Sequence, residues 1–156
     1  MQGHALYLDS PYVNLSQKST QRAVHVLRAY LRKYPHGVYM DKASAQLSVL
    51  MGKLALKAFY CAKHYYRLAH YRAAVVSLEQ FQREFLDTVH NEQAAYLKVD
   101  AQFHYLKKLK DTEAYEQQLC KAISYCQQFL ADYPDSSYNL TVNKIYAKLQ
   151  TSYNKH

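Results

Sequence analysis

From Ser19 to Tyr34 the apolar residues fall at Ala23, Val24, Leu27, Tyr30, Leu31 and Tyr34, the i, i+3, i+4, i+7 spacing that gathers one buried face on a helix. Ser19 or Thr20 is the expected N-cap, and Pro35-His36-Gly37 ends the segment. From Tyr39 to Leu68 no breaker stronger than Gly52 intervenes. The pattern therefore predicts one long helix, with Leu47, Leu50, Leu54, Ala58, Cys61, Tyr65 and Leu68 sharing a face. Helices are predicted next over 71–86, 91–109, 113–133 and 137–153, with Pro134-Asp135-Ser136 stopping one and capping the next. At the N-terminus Ala5, Leu6 and Leu8 read as the last turns of a helix that ought to start upstream, so the chain is expected to enter mid-repeat. Ser10-Pro11 marks 9–14 as a loop, since the residue before proline is steered out of the α region.

Three of these segments superpose when stacked on their alanines. Ala23-Val24, Ala74-Val75 and Ala122-Ile123 are followed at the fourth position by Leu27, Leu78 and Cys126, and at the seventh by Tyr30, Phe81 and Phe129. Tyr34, Phe85 and Tyr133 stand at the eleventh position, and Pro35, Leu86 and Pro134 at the twelfth. Recurrence on a helical period indicates a repeat array. The clearest copy, Ala58 to Leu86, resembles a tetratricopeptide repeat: Ala62 is its small crossing residue, Tyr65 its tyrosine, Ala74 its second crossing alanine, and Leu78 and Phe81 its packing knobs. Ala69-His70-Tyr71 stands where such repeats carry a Gly-Asp-Tyr-like turn, and Leu86 where proline is usual.

The expected fold is all-α, a right-handed superhelical array of about six helices in pairs with one long shared helix. It forms a single array over 1–156, with a partial repeat at 1–38, repeat units at 39–88 and 89–134, and a capping helix at 137–153. The copies are 51 and then 48 residues apart, against about 34 for an unembellished array. The excess falls in the long helix and in a polar segment from Lys107 to Gln118.

Composition narrows the function. No run reaches the roughly 18 apolar residues of a membrane span, so the chain is expected to be soluble. The tyrosine content, 17 against five phenylalanines, suits layered helices because the ring packs while the hydroxyl reaches the rim. Cys120 and Cys126 lie about 9 Å apart along one helix, beyond disulfide reach, and Cys61 falls on the expected packed face. All three are read as small hydrophobes. No His-x3-His pair, nucleophile elbow or glycine-rich phosphate loop occurs, which argues against a metal, a cofactor and an enzyme.

Two surface patterns remain. The net charge is +8, and Lys53, Lys57, Lys63 and Arg67 fall within about 120° of one another on the long helix, a basic stripe that is a solvated face, a hold for an acidic protein partner, or a contact for nucleic acid or a membrane. On the helix after it, Arg72, Val76, Glu79 and Arg83 lie opposite the apolar face. An apolar centre rimmed by charge suits a small protein interface.

Several blocks carry a wider resemblance: Asp9 to Leu15 (D-S-P-Y-V-N-L), Tyr30 to Tyr39 (Y-L-R-K-Y-P-H-G-V-Y), Ala58 to Tyr66 (A-F-Y-C-A-K-H-Y-Y) and Phe129 to Tyr138 (F-L-A-D-Y-P-D-S-S-Y). With their long spacings they resemble the BamD/YfiO-like lipoproteins of the outer-membrane β-barrel assembly machinery, especially the Bacteroidetes type. The resemblance implies a non-catalytic scaffold on the periplasmic face of the outer membrane. It corresponds to the C-terminal half of the family, the half that docks on the POTRA region of the barrel-forming subunit. Partners would be that subunit and other assembly lipoproteins. Membrane association would come only through a lipid anchor absent from this chain, and no nucleic acid is expected. The alternatives are a generic periplasmic repeat adaptor of the Tol-associated type, which normally keeps a period near 34 residues, and a nucleic-acid-binding helical array.

Overall fold

A computed structural model describes residues 2–8, 10, 12–13, 16–109 and 113–154. Among these it shows seven helices and no strand: α1 (Gln2–Leu8), α2 (Lys18–Lys33), α3 (Met40–Arg67), α4 (Tyr71–Glu84), α5 (Asn91–Lys108), α6 (Tyr115–Asp132) and α7 (Asn139–Tyr153). The helices predicted from periodicity are present, consistent with a tetratricopeptide-like array. None of those described is long and apolar enough to cross a membrane. Contacts divide the chain into two compact units, Met1–Ala58 and Phe59–His156.

In the first unit Ala23, Val24 and Leu27 of α2 pack with Ala43 and Leu50 of α3, and Tyr7, Tyr30, Leu47 and Leu54 close around them. The face read from the spacing of α2 is thus the buried one. Its start differs from expectation. The N-cap is Gln17, and Thr20 is fully buried inside the helix. The Thr20 hydroxyl donates to Gln17 Oε1 at 2.7 Å and lies 3.0 Å from Ser10 Oγ. A hydroxyl that bonds within the first turn resembles a cap in sequence but serves here to pin the preceding segment. In α1, Tyr7 reaches the core while Ala5 and Leu8 are exposed. The Leu6 side chain and much of the expected 9–14 loop lie outside the described residues.

In the second unit α4 packs Ala74, Val75, Leu78 and Phe81 inward, as its spacing predicts. Behind it Val99 and Leu106 of α5, Leu119, Cys126 and Phe129 of α6, and Val142, Ile145 and Leu149 of α7 form a core cluster. Ala62 and Ala74 are fully buried, as expected of crossing residues.

The C-terminal half of α3 corrects the expected face. Cys61, Tyr65 and Leu68 are exposed, and the buried positions are Phe59 and Ala62, with Tyr66 packed against Tyr71. Tyr66, not Tyr65, therefore takes the place of the repeat tyrosine. Cys120 is also exposed, so only Cys126 is a buried small hydrophobe, and burial pushes its thiol up to about 12. Ser136 is not the N-cap of α7, which is Tyr138. Ser136 instead accepts from the Tyr138 N–H at 3.1 Å and donates to Glu92 of α5 at 2.6 Å. Of the polar segment expected at 107–118, Lys107 and Lys108 close α5, and residues 110–112 lie outside the described ones.

Candidate functional site

The turn from α3 into α4 builds a site-like surface in the second unit. α3 ends with the Ala69 N–H bonding to the Tyr66 carbonyl and the His70 N–H to the Tyr65 carbonyl, both at 3.0 Å, the paired bonds of a Schellman stop. That stop needs a left-handed residue, and Ala69 supplies it at φ 56° where glycine would carry no Cβ penalty. The Ala69 carbonyl accepts a 3.2 Å bond from Lys108 Nζ at the end of α5. A cation beside the C-terminal end of a helix is well placed for its dipole.

An open hollow of about 560 Å³ lies over this turn, and Tyr65, Tyr71, Arg72, Val76, Tyr105 and Lys108 are among its lining residues. Among the described residues no carboxylate lines it, so Arg72 and Lys108 give its described wall a positive character. Lys108 Nζ lies 5.0 Å from the Tyr71 ring centroid, and Tyr71 stacks on His104 at 5.0 Å. His104 Nε2 in turn stands 3.5 Å from Asp100, which accepts from the Tyr66 hydroxyl at 2.5 Å. Burial foremost, then the bond to Asp100, raises the Tyr66 phenol. This chain of contacts fixes Tyr71 from beneath, so one wall of the hollow is held in place before anything binds.

Of the residues read from sequence as an interface, Arg72 and Val76 line the hollow, and Val76 is 55% exposed. Arg83 is exposed on α4 but does not line it. Glu79 departs from its expected outward position. It is half-buried and accepts a hydrogen bond from Tyr125 of α6, whose phenol is raised by burial and then by that bond. Beside it Lys98 of α5 sits over the Tyr125 ring at 4.6 Å, so Glu79 serves packing between helices.

The basic residues of α3 have separate surroundings. In the first unit Lys53 donates to Ser10 Oγ at 3.1 Å, and Lys57 is half-buried. In the second, Lys63 lies over Phe59 at 5.8 Å and Arg67 is exposed. Sequence reading missed Lys108, Tyr105 and His104. Asp100 and His104 at i, i+4 on α5 were a usable signal, but the seating of Lys108 on the Ala69 carbonyl, just past the end of α3, depends on tertiary placement alone. Among the described residues no group of three or more His, Cys, Asp or Glu could hold a metal ion.

A family model described as YfiO, outer membrane lipoprotein, matches residues 1–95 and 63–155. The two overlapping matches accord with internal repetition. No curated protein matches the chain.

Proposed function

Because the chain belongs to the YfiO family of outer membrane lipoproteins, we propose that it is a non-catalytic scaffold of β-barrel assembly, a single repeat array over 1–156 that holds the POTRA region of a barrel-forming subunit. The observation that carries this reading is the hollow at the α3–α4 turn, which Val76 and three tyrosines line together with Arg72 and Lys108, with no carboxylate among the described lining side chains. Aromatic and arginine anchors around an apolar centre are the composition of interface hot spots. Its charge selects an acidic segment of the partner, and its position on regular helices with a supported wall limits the ordering cost of binding. The basic residues Lys53, Lys57, Lys63 and Arg67 and the exposed Arg83 contribute to long-range attraction of the same partner.

The test is calorimetric titration of the chain with a purified POTRA fragment from the same organism. Val76→Asp combined with Arg72→Glu should weaken binding at least about tenfold, since it places like charge against an acidic partner, while the far-UV spectrum stays unchanged. Equal affinity of parent and folded variant would remove this face as the site. A flat dependence on salt would remove the electrostatic part of the reading.

A further inference from the structure

We propose a second, separate contact: the turn between α2 and α3 inserts into the headgroup layer of an anionic lipid surface. Val38 at its tip is 95% exposed, and Tyr34, Tyr39 and Met40 are exposed beside it. Single exposed apolar residues are ordinary on a protein surface. Four within the seven positions from 34 to 40 form a local patch, and a cationic rim surrounds it. Arg32 and Lys33 end α2, Lys42 is exposed in the first turn of α3, and Asp41 is the lone carboxylate between residues 30 and 42.

The arrangement has the chemistry of an interfacial anchor. An aliphatic tip enters the acyl boundary, tyrosines sit at headgroup depth, and long cationic side chains reach the anionic surface while their stems cover apolar area. The tip is also held in shape. The Gly37 N–H bonds to the Tyr34 carbonyl at 3.2 Å and the Met40 N–H to the Gly37 carbonyl at 2.9 Å. A Cβ at Gly37 would come within 3.3 Å of the Tyr30 hydroxyl and of the Tyr34 Cβ, so the Tyr30 side chain and the Tyr34 backbone close tightly on the turn while the Tyr34 side chain stays exposed.

The chain supplies its own controls, because the same turn recurs in the second unit. There Val89 occupies the equivalent tip and is almost fully exposed, but residues 81–93 carry three carboxylates against one arginine. At the third turn the tip is Ser137, and residues 129–141 carry two aspartates and no lysine or arginine. The first turn alone joins an apolar tip to a positive rim.

The chain contains no tryptophan, so a single introduced indole reports on one position. Val38→Trp should shift its emission to the blue on adding phosphatidylglycerol-containing vesicles and be quenched by brominated lipid, with little response to phosphatidylcholine alone. Val89→Trp and Ser137→Trp should not respond. In vesicle co-sedimentation, Val38→Asp with Tyr39→Asp should lower the bound fraction at least about tenfold in partition constant. The proposal is overturned if Val38→Trp is unmoved by anionic vesicles, or if all three indoles respond alike. It is also overturned if Val38→Trp changes only when a POTRA fragment is added, which would make the turn a protein contact.

Discussion

Ala69 is the residue at which local geometry and side-chain chemistry disagree. The stop of α3 places it at φ 56°, where an L side chain costs about 1–2 kcal/mol. Replacing it with glycine removes that cost but restores about 0.4–1 kcal/mol of unfolded-chain entropy. Ala69→Gly should therefore stabilise by roughly 0.5–1 kcal/mol, raising Tm by about 1–4 °C for a chain of this length. A melting temperature unchanged or lowered would show that the alanine is under no strain there. The repeat pattern made this position legible, since Ala69 stands where related turns carry glycine. The neighbouring misreading of Tyr65 for Tyr66 has a different origin. Two adjacent tyrosines offer the same side chain to either face, and only the partner across the gap, Asp100, decides which one is taken inward.

At the scale of elements, α4 was legible because it is short and buries one stripe. α3, 28 residues long, was legible only in part, because its residues belong to two units that are packed separately. Ala43 and Leu50 are buried in the first unit, Phe59 and Ala62 in the second. Extending one face along the whole helix leads to Cys61 and Leu68, which are exposed. Sequence reading also passed over how the later turns are tied. Asn91, the first residue of α5, donates its amide to the Phe85 carbonyl at 3.0 Å and to that of Leu86. Asn139, first in α7, does the same to Tyr133 at 3.0 Å and Pro134 at 2.6 Å. These asparagines sit 17 residues after the stacked alanines Ala74 and Ala122, where the first copy has Met40. Each satisfies carbonyls that the end of the preceding helix leaves open. Asn139→Ala should cost about 1–2 kcal/mol, seen as a lower urea midpoint with unchanged slope. An unchanged midpoint would mean that water replaces the amide at no cost.

For the whole molecule, the buried ionisable groups set a direction on the alkaline side. The Cys126 thiol, ordinarily 9.0, is pushed up to about 12 by burial, and the Tyr66 and Tyr125 phenols are raised above their usual 10.0. In each the fold favours the protonated form, so its stabilisation is complete below the unfolded value and is lost as pH climbs toward the folded one. Lys98 runs the other way. Burial lowers its ammonium from 10.5, partly opposed by Glu79 and Asp132, so rising pH relieves a cost. With the Tyr96 and Tyr133 phenols, also raised foremost by burial, five groups against one predict that the urea midpoint falls steadily from about pH 9 to pH 12. Absorbance at 295 nm should show the last tyrosines ionising only as the helical signal disappears. A constant midpoint across that range would contradict the burial on which the direction rests.

The border between the two units falls between Ala58 and Phe59, inside α3. Proteases cut chain that can be drawn out into an extended strand, and in most proteins the linker between compact units offers such a stretch. Here the border has none, because every backbone group on either side is engaged in one uninterrupted helix. Limited digestion will therefore leave the chain uncut between Ala58 and Phe59, where α3 offers a protease no stretch to draw out.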